Sequence, residues 1–111
     1  MEVIYWNIRD LNGPDKKQLI KNKILVEIPS VLLLQKTNCS SQSIIEIVKK
    51  IWKNSKTMVV DAYGTSGGLE ILWNPRDIQL TDFLATQRTL STNFHLLGTE
   101  HTWSITNVYG P

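Results

Sequence analysis

The chain has 111 residues, of which 41% are hydrophobic and 20% are charged, and twelve Lys and Arg against ten Asp and Glu give a net charge of +2. This composition is typical of one globular domain and excludes collagen, coiled coil and low-complexity disorder. No apolar run approaches the roughly 18 residues of a membrane span, and the single cysteine, Cys39, excludes an intrachain disulfide. We therefore expect an intracellular protein, nuclear or cytoplasmic, with no membrane partner.

The first part of the chain predicts a strand, a helix and a second strand. Residues 3–8 are mostly β-branched or aromatic and precede a turn cluster, which predicts a buried strand. Pro14 predicts the start of a helix, and Pro29 predicts its end near Glu27. The unbroken apolar run at residues 31–34 is typical of a strand covered on both faces. Together these elements predict a βαβ unit with two parallel strands.

A second helix and a series of short strands follow. Residues 43–53 predict the helix, because Ser43 and Glu46 have the spacing of a capping box and apolar residues recur on one face. From residue 57 the apolar pattern changes to strands separated by turn residues. These predicted strands cover residues 57–62, 69–73, 78–83, 93–97 and 102–109, and we expect the last two to form a hairpin.

The predicted elements define an incomplete α/β fold. Helices cover one side of the sheet, whereas no predicted element covers its other face. Residues 1–111 therefore predict the N-terminal portion of a single domain, with a second sheet largely missing. An uncovered sheet face of this kind predicts self-association, because monomers rarely expose large apolar patches.

Polar residues stand at the ends of three predicted strands. Asn7 ends the first strand, Gln35 and Lys36 end the second, and Asn107 and Tyr109 share one face of the last. Ligands collect outside the carboxyl ends of strands in open α/β sheets, so these residues are candidates for a site. Polar residues at strand ends are also common turn formers, and position alone leaves both interpretations open.

Several sequence strings resemble one known family. They are Trp6-Asn7-Ile8-Arg9, Leu34-Gln35-Lys36-Thr37, Ser66-Gly67-Gly68, Leu72-Trp73-Asn74 and Asn107-Val108-Tyr109-Gly110-Pro111. In this order and spacing they resemble the endonuclease/exonuclease/phosphatase family, and within it the apurinic-type endonuclease domain of plant LINE (non-LTR) retrotransposons. The resemblance implies an α/β sandwich of two packed sheets that hydrolyses phosphodiester bonds of DNA with a divalent metal, usually magnesium.

The resemblance also implies roles for individual residues. Asn7 corresponds to the active-site asparagine of the first strand, and Tyr109 corresponds to a tyrosine that contacts the scissile phosphate. Arg9 corresponds to a position near the DNA backbone. The family's general base and its remaining Asp and His residues belong to the second half of the domain. We therefore expect Asn7 and Tyr109 to be vestigial catalytic residues.

Lys36 occupies the position of the family's metal-binding Glu. Magnesium prefers carboxylate, carbonyl and water oxygens. An ammonium group about 4 Å from a divalent ion is repelled by roughly 8 kcal/mol at an effective dielectric of 20. We therefore expect no magnesium to be retained and catalysis to be lost. The alternatives are metal-independent binding of nucleic acid, and a half-domain that needs a complementing chain.

Other reactive side chains have simpler interpretations. His95 and His101 lack a cysteine or second histidine at metal-ligand spacing, so we expect structural or solvent-exposed roles. Cys39 has no nearby histidine to activate it and is expected to be inert. Ser66-Gly67-Gly68 predicts a tight turn instead of a phosphate-binding loop. We interpret the eight lysines of the two helices and their ends as a solvated surface, with a phosphate-binding face as the alternative.

Overall fold

A computed structural model describes residues 2–8, 11, 13–35, 41–61, 68–86 and 88–108. In chain order the elements are β1 (Val3–Asn7), α1 (Pro14–Glu27), β2 (Val31–Gln35), α2 (Ser41–Ile51), β3 (Lys56–Asp61), β4 (Gly68–Trp73), β5 (Ile78–Ala85), β6 (Thr89–Leu96) and β7 (Thr102–Val108). Neither helix of this described part is long and apolar enough to cross a membrane.

The strands form two sheets. The first has the order β1-β2-β4-β3, in which β1 and β2 are parallel and the remaining pairs are antiparallel. The second has the order β5-β6-β7 and is antiparallel throughout. The predicted βαβ start and the predicted hairpin of the last two strands are therefore confirmed, as is the mixed α/β fold class.

The two helices cover one face of the first sheet. Ile20 and Ile24 of α1 and Ile44 and Val48 of α2 are buried with Leu32 in one apolar cluster. Alternation along β2 directs Leu32 and Leu34 to this side, while its other residues face away. Burial of all five β2 residues confirms that this strand is covered on both faces.

The second sheet covers the other face of the first, contrary to the expectation that nothing in the chain does so. Val31 and Leu33 of β2 and Trp73 of β4 pack with Leu90 and Phe94 of β6. The Trp73 and Phe94 rings meet edge to face, with their centroids 5.4 Å apart. The three strands of the second sheet thus form a sandwich core over β2 and β4.

Strand β1 is not buried, and this part of the sequence prediction is wrong. Ile4 and Trp6 pack toward the helices, but Val3 and Tyr5 on the opposite face are 41% and 55% exposed. The reason is that β1 is an edge strand of its sheet, and the described strands of the second sheet do not extend over it. Val3 and Tyr5 are on the face that points toward the second sheet, but the described strands of that sheet do not cover them.

Two predicted boundaries also change. Helix α2 begins at Ser41, so Ser43 lies inside the helix and is not its N-cap. Strand β6 begins at Thr89, four residues before the predicted start at residue 93. Its first half alternates the buried Leu90 and Thr92 with more exposed hydroxyl residues, a polar composition that resembles a loop.

Helix α1 ends in an unfavourable conformation. Its C-cap Ile28 has a φ of +47° in the left-handed region, and its backbone N–H donates to Ile24 O at 2.9 Å. The Ile28 side chain is 75% exposed, and Leu19 is 51% exposed. Within this helix, the buried side chains are Ile20 and Ile24.

Candidate functional site

The carboxyl ends of β1 and β2 meet at one edge of the first sheet. The two strands are parallel and their register pairs Asn7 with Gln35, so the last residues of both strands are neighbours. Asn7 is exposed, whereas Gln35 is 2% exposed. This arrangement confirms that the fold brings two of the predicted strand-end residues together at a position where α/β sheets bind ligands.

The end of β7 reaches the same edge from the second sheet. Gln35 Nε2 donates to Asn107 Oδ1 at 2.8 Å, and it also contacts the carbonyl oxygen of Val108. Asn107 is 2% exposed. A buried amide pair of this kind fixes the relative position of the two sheets at the strand ends, because each buried polar group is costly without its partner.

One N–H donor group of this amide pair has no hydrogen-bond partner in the described part of the chain. Asn107 Nδ2 is buried and has no hydrogen-bond partner among the residues that the structure describes. An unpaired buried amide N–H costs about 1–3 kcal/mol. The strand-end edge therefore contains an N–H group that can donate a hydrogen bond to the oxygen atom of a ligand that reaches it beside Gln35.

A buried acid lies farther along the first sheet. Glu70 of β4 is 0% exposed and pairs in register with Leu34 of β2 and Val59 of β3. By alternation it points to the same side as Leu72, toward the helices and away from the space between the sheets. Glu70 therefore faces the opposite side of the sheet from Gln35.

Three of the predicted site residues lie outside the described residues. They are Arg9, Lys36 and Tyr109. The sequence places each of them within two positions of a described strand-end residue, namely Asn7, Gln35 and Asn107. Their roles in the site remain predictions.

The described donor groups at this edge include no carboxylate for a magnesium ion. In the described part of the chain, no group of three His, Cys, Asp or Glu side chains is arranged to hold a metal. The described polar side chains at the strand ends are the amides of Asn7, Gln35 and Asn107, and Lys36 follows Gln35 in the sequence. Amides and an ammonium group lack the carboxylate that magnesium sites use.

The two histidine candidates lie at the other end of the second sheet. His95 is half-buried on β6 and His101 is exposed beyond it. Cys39, Ser66 and Gly67 lie outside the described residues, while Gly68 begins β4.

Sequence reasoning named Gln35 and Asn107 as strand-end candidates but did not predict their contact, and it assigned no role to Glu70. The alternation of β7 could have identified Asn107 as inward-facing, because it follows the inward Ile105 by two positions. Glu70 lies within an otherwise apolar strand, and this pattern could have identified it as a buried acid. The hydrogen bond between Gln35 and Asn107 joins residues 72 positions apart, which no local pattern reports.

Comparison with solved structures identifies the architecture. The human Nocturnin catalytic domain with bound sulfate matches with a TM-score of 0.73 and 14% identity, over 94% of this chain and 47% of that chain. An endonuclease/exonuclease/phosphatase family protein from Bacteroides thetaiotaomicron matches with a TM-score of 0.71 and 12% identity, over 96% and 48%. The endonuclease domain of TRAS1, a telomere-specific non-LTR retrotransposon, matches with a TM-score of 0.70 and 11% identity, over 98% and 45%.

These matches define the class of fold. The chain has the two-sheet α/β fold of endonuclease/exonuclease/phosphatase proteins, and it spans about half the length of the solved structures it matches. No protein-family model matches the chain, and no curated protein matches it.

Proposed function

We propose that these 111 residues form the N-terminal portion of a retrotransposon-type endonuclease domain that has lost its metal-dependent hydrolysis of DNA. The fold and the juxtaposition of Asn7 with Gln35 support the location of the site at the carboxyl ends of β1 and β2. The observation that carries the proposal is Lys36, which directly follows Gln35 and stands where the resembled family has a metal-binding Glu.

The proposed site retains part of a phosphate-facing edge. The Asn7 amide and the Tyr109 hydroxyl donate hydrogen bonds to phosphate oxygens, and Arg9 contacts the DNA backbone. Lys36 supplies one positive charge beside them. A hydrolytic site needs a positioned base and stabilisation of the charge that develops on the transferring phosphate. Lys36 supplies no coordination sites for a metal, so the edge binds phosphate without activating water.

A charge-reversal experiment tests the loss of the metal site. We expect the purified chain to show no nicking of supercoiled plasmid in magnesium above an EDTA control, and no magnesium binding by calorimetry. Lys36→Glu restores the carboxylate and is expected to bind magnesium measurably. Lys56→Glu makes the same charge change on an exposed residue at the start of β3 and should leave magnesium binding unchanged.

Two outcomes contradict this proposal. One is EDTA-sensitive nicking by the unaltered chain. The other is magnesium binding of equal strength in the unaltered chain and in Lys36→Glu.

Metal-independent binding of nucleic acid at this edge is the second candidate. The unpaired Asn107 Nδ2 favours an oxygen ligand here, and Lys36 and Arg9 add positive charge. This candidate predicts salt-sensitive binding that weakens in Lys36→Glu at low magnesium.

A further candidate concerns the open side of the sandwich. Val3, Tyr5 and Trp103 are on the inner faces of the edge strands β1 and β7, yet they are 41%, 55% and 48% exposed. The matched part of each solved neighbour is about half of that chain, so about half of each neighbour lies outside the match. This side accepts further strands, either from a complementing chain or from a second copy of this one.

A further inference from the structure

Positive charge is concentrated on the helical side of the molecule. The helices α1 and α2 with residues 52–56 contain eight lysines and three acidic residues, whereas the rest of the chain contains four basic and seven acidic residues. The net charge of the whole chain is small because the positive charge of the helical segments is offset by the negative charge of the other segments. Such a separation of charge creates a local potential that attracts anionic partners.

A groove runs along this surface between the two helices. It encloses about 450 Å³, and its lining includes Lys17 and Lys21 of α1 and Lys50 of α2. Its apolar part includes Pro14, the half-buried Ile47, and Ile51, which is 8% exposed. Lysines from both helices therefore face one shared cavity with an apolar floor.

The groove lysines are not neutralised by acidic side chains. In the described part of the chain, the ion pair between Lys23 and Glu27 is the only one found, at 3.2 Å. Glu46 also lines the groove, one turn before Lys50, but it forms no ion pair within 4.0 Å in this same part of the chain. Three ammonium groups are therefore available to an anionic ligand.

The spacing of these charges suits an extended ligand. Lys17 and Lys21 are four residues apart on one helix, which separates them by about 6 Å along the helix axis. Lys50 lies across the groove on the other helix. Separated point charges suit successive charges along a chain better than they suit a single phosphate, which needs converging donors.

We propose that the groove between α1 and α2 binds the sugar-phosphate backbone of single-stranded nucleic acid. A single strand is a linear polyanion that can enter a groove between two helices, whereas a membrane surface is flat and meets the outermost side chains. The apolar floor gives the sugars or bases a contact surface, and the described lining residues include no aromatic side chain for specific stacking. Binding is therefore electrostatic and independent of sequence.

This inference goes beyond the proposed function, because the groove lies on the helical face and not at the strand ends. The groove residues Lys17, Lys21 and Lys50 are distinct from Asn7 and Lys36. The two binding sites can therefore be separated by mutation.

Fluorescence anisotropy with a labelled oligothymidylate of about 20 nucleotides tests the proposal. The triple variant Lys17→Gln/Lys21→Gln/Lys50→Gln is expected to bind about tenfold or more weakly than the unaltered chain. It should also reduce the slope of log K against log salt by about 2, which is the value for three phosphate contacts on a single strand.

A charge-matched control removes three exposed lysines that do not line the groove. The variant Lys49→Gln/Lys53→Gln/Lys56→Gln has the same net charge as the groove variant, and we expect less than a threefold loss. Equal losses in the two triple variants would show that only the net charge matters and would overturn the proposal.

A gain-of-affinity variant keeps the proposal testable if the triple variant does not fold. Glu46→Gln removes the acidic side chain from the groove, and we expect binding to tighten about threefold at low salt. Unchanged affinity in this variant would contradict the groove as the binding site.

Two further measurements separate the alternatives. Binding that survives the groove substitutions but disappears in Lys36→Glu would place the ligand at the strand ends and overturn this inference. Vesicles containing phosphatidylserine serve as the competing ligand, and tighter binding to them than to the oligonucleotide would overturn it in favour of a membrane surface.

Discussion

Gln35 is the residue that links the two sheets at the proposed site. Its amide nitrogen donates to both Asn107 and the Val108 carbonyl, and both amide side chains are buried. The hydrogen bond itself contributes modestly, whereas an unpaired buried partner costs more. We therefore expect these two side chains to be strongly coupled in their effect on stability.

A double-mutant cycle measures that coupling. Gln35→Leu and Asn107→Leu should each lower the free energy of unfolding by about 1–3 kcal/mol, because each leaves a buried amide unpaired. The double variant should cost about 1 kcal/mol less than the sum of the single losses. The exposed pair Ser91 and Thr106, whose hydroxyl oxygens are 3.1 Å apart, provides the control.

Urea denaturation is the measurement for this cycle. For the control pair, Ser91→Ala and Thr106→Val should show coupling near zero because water satisfies either partner. Additive losses at Gln35 and Asn107 would mean that the amide contact does not hold the sheets together.

At the scale of elements, the end of α1 illustrates a local conflict between sequence and structure. Pro29 prevents the helix from continuing, and the chain turns through Ile28 with φ at +47°. A β-branched residue is strained in this region, whereas glycine is not. Asn54 after α2 adopts a similar φ of +68°, but asparagine tolerates the left-handed region well.

Replacing Ile28 should therefore stabilise the protein. We expect Ile28→Gly to raise the free energy of unfolding by about 1 kcal/mol, because relief of left-handed strain exceeds the entropy cost of glycine. The side chain is 75% exposed, so little apolar burial is lost.

Thermal unfolding followed by circular dichroism gives the comparison. Asn54→Gly is the matched control and should change stability by less than about 0.5 kcal/mol. A destabilised Ile28→Gly variant would show that the Ile28 side chain makes a contact that outweighs its backbone strain.

At the scale of the whole molecule, the sandwich is closed in the middle and open at one side. The second sheet covers β2 and β4, but the inner faces of β1 and β7 remain half-exposed. Edge strands with exposed apolar side chains favour association, because both the backbone groups and the side chains lack partners. We therefore expect this side, where the candidate site also lies, to accept further strands.

Self-association through this side predicts a specific effect of charge. Tyr5→Lys places an ammonium group on the inner face of β1 and should weaken association of the purified chain about tenfold or more. Val26→Lys makes a comparable change on α1, at a side chain that is 77% exposed, and should leave association unchanged.

Sedimentation velocity over a range of concentrations distinguishes these results. Equal association of both variants and the unaltered chain would exclude the open side as the contact surface. A chain that remains monomeric at all concentrations would remove the second copy as an occupant and leave the complementing chain.

The sequence and the structure agree where local patterns carry the information. Proline positions identified α1, an apolar face identified α2, and an unbroken apolar run identified the fully buried β2. The strings at Asn7 and Gln35 identified the strand-end edge, and parallel pairing brings these two residues together. The burial of β1 was predicted wrongly, because an edge strand and a central strand can have the same composition.

The amino-acid sequence by itself determined the βαβ start and the mixed α/β class, since these depend on local spacing and on residue chemistry. Only the tertiary structure decided that β5, β6 and β7 cover the first sheet, that Gln35 bonds Asn107, and that lysines of α1 and α2 share one groove. These features join residues distant in the chain. They depend on how sheets and helices pack against each other. The sequence of one element alone contains no periodic pattern that reports which other element it will contact.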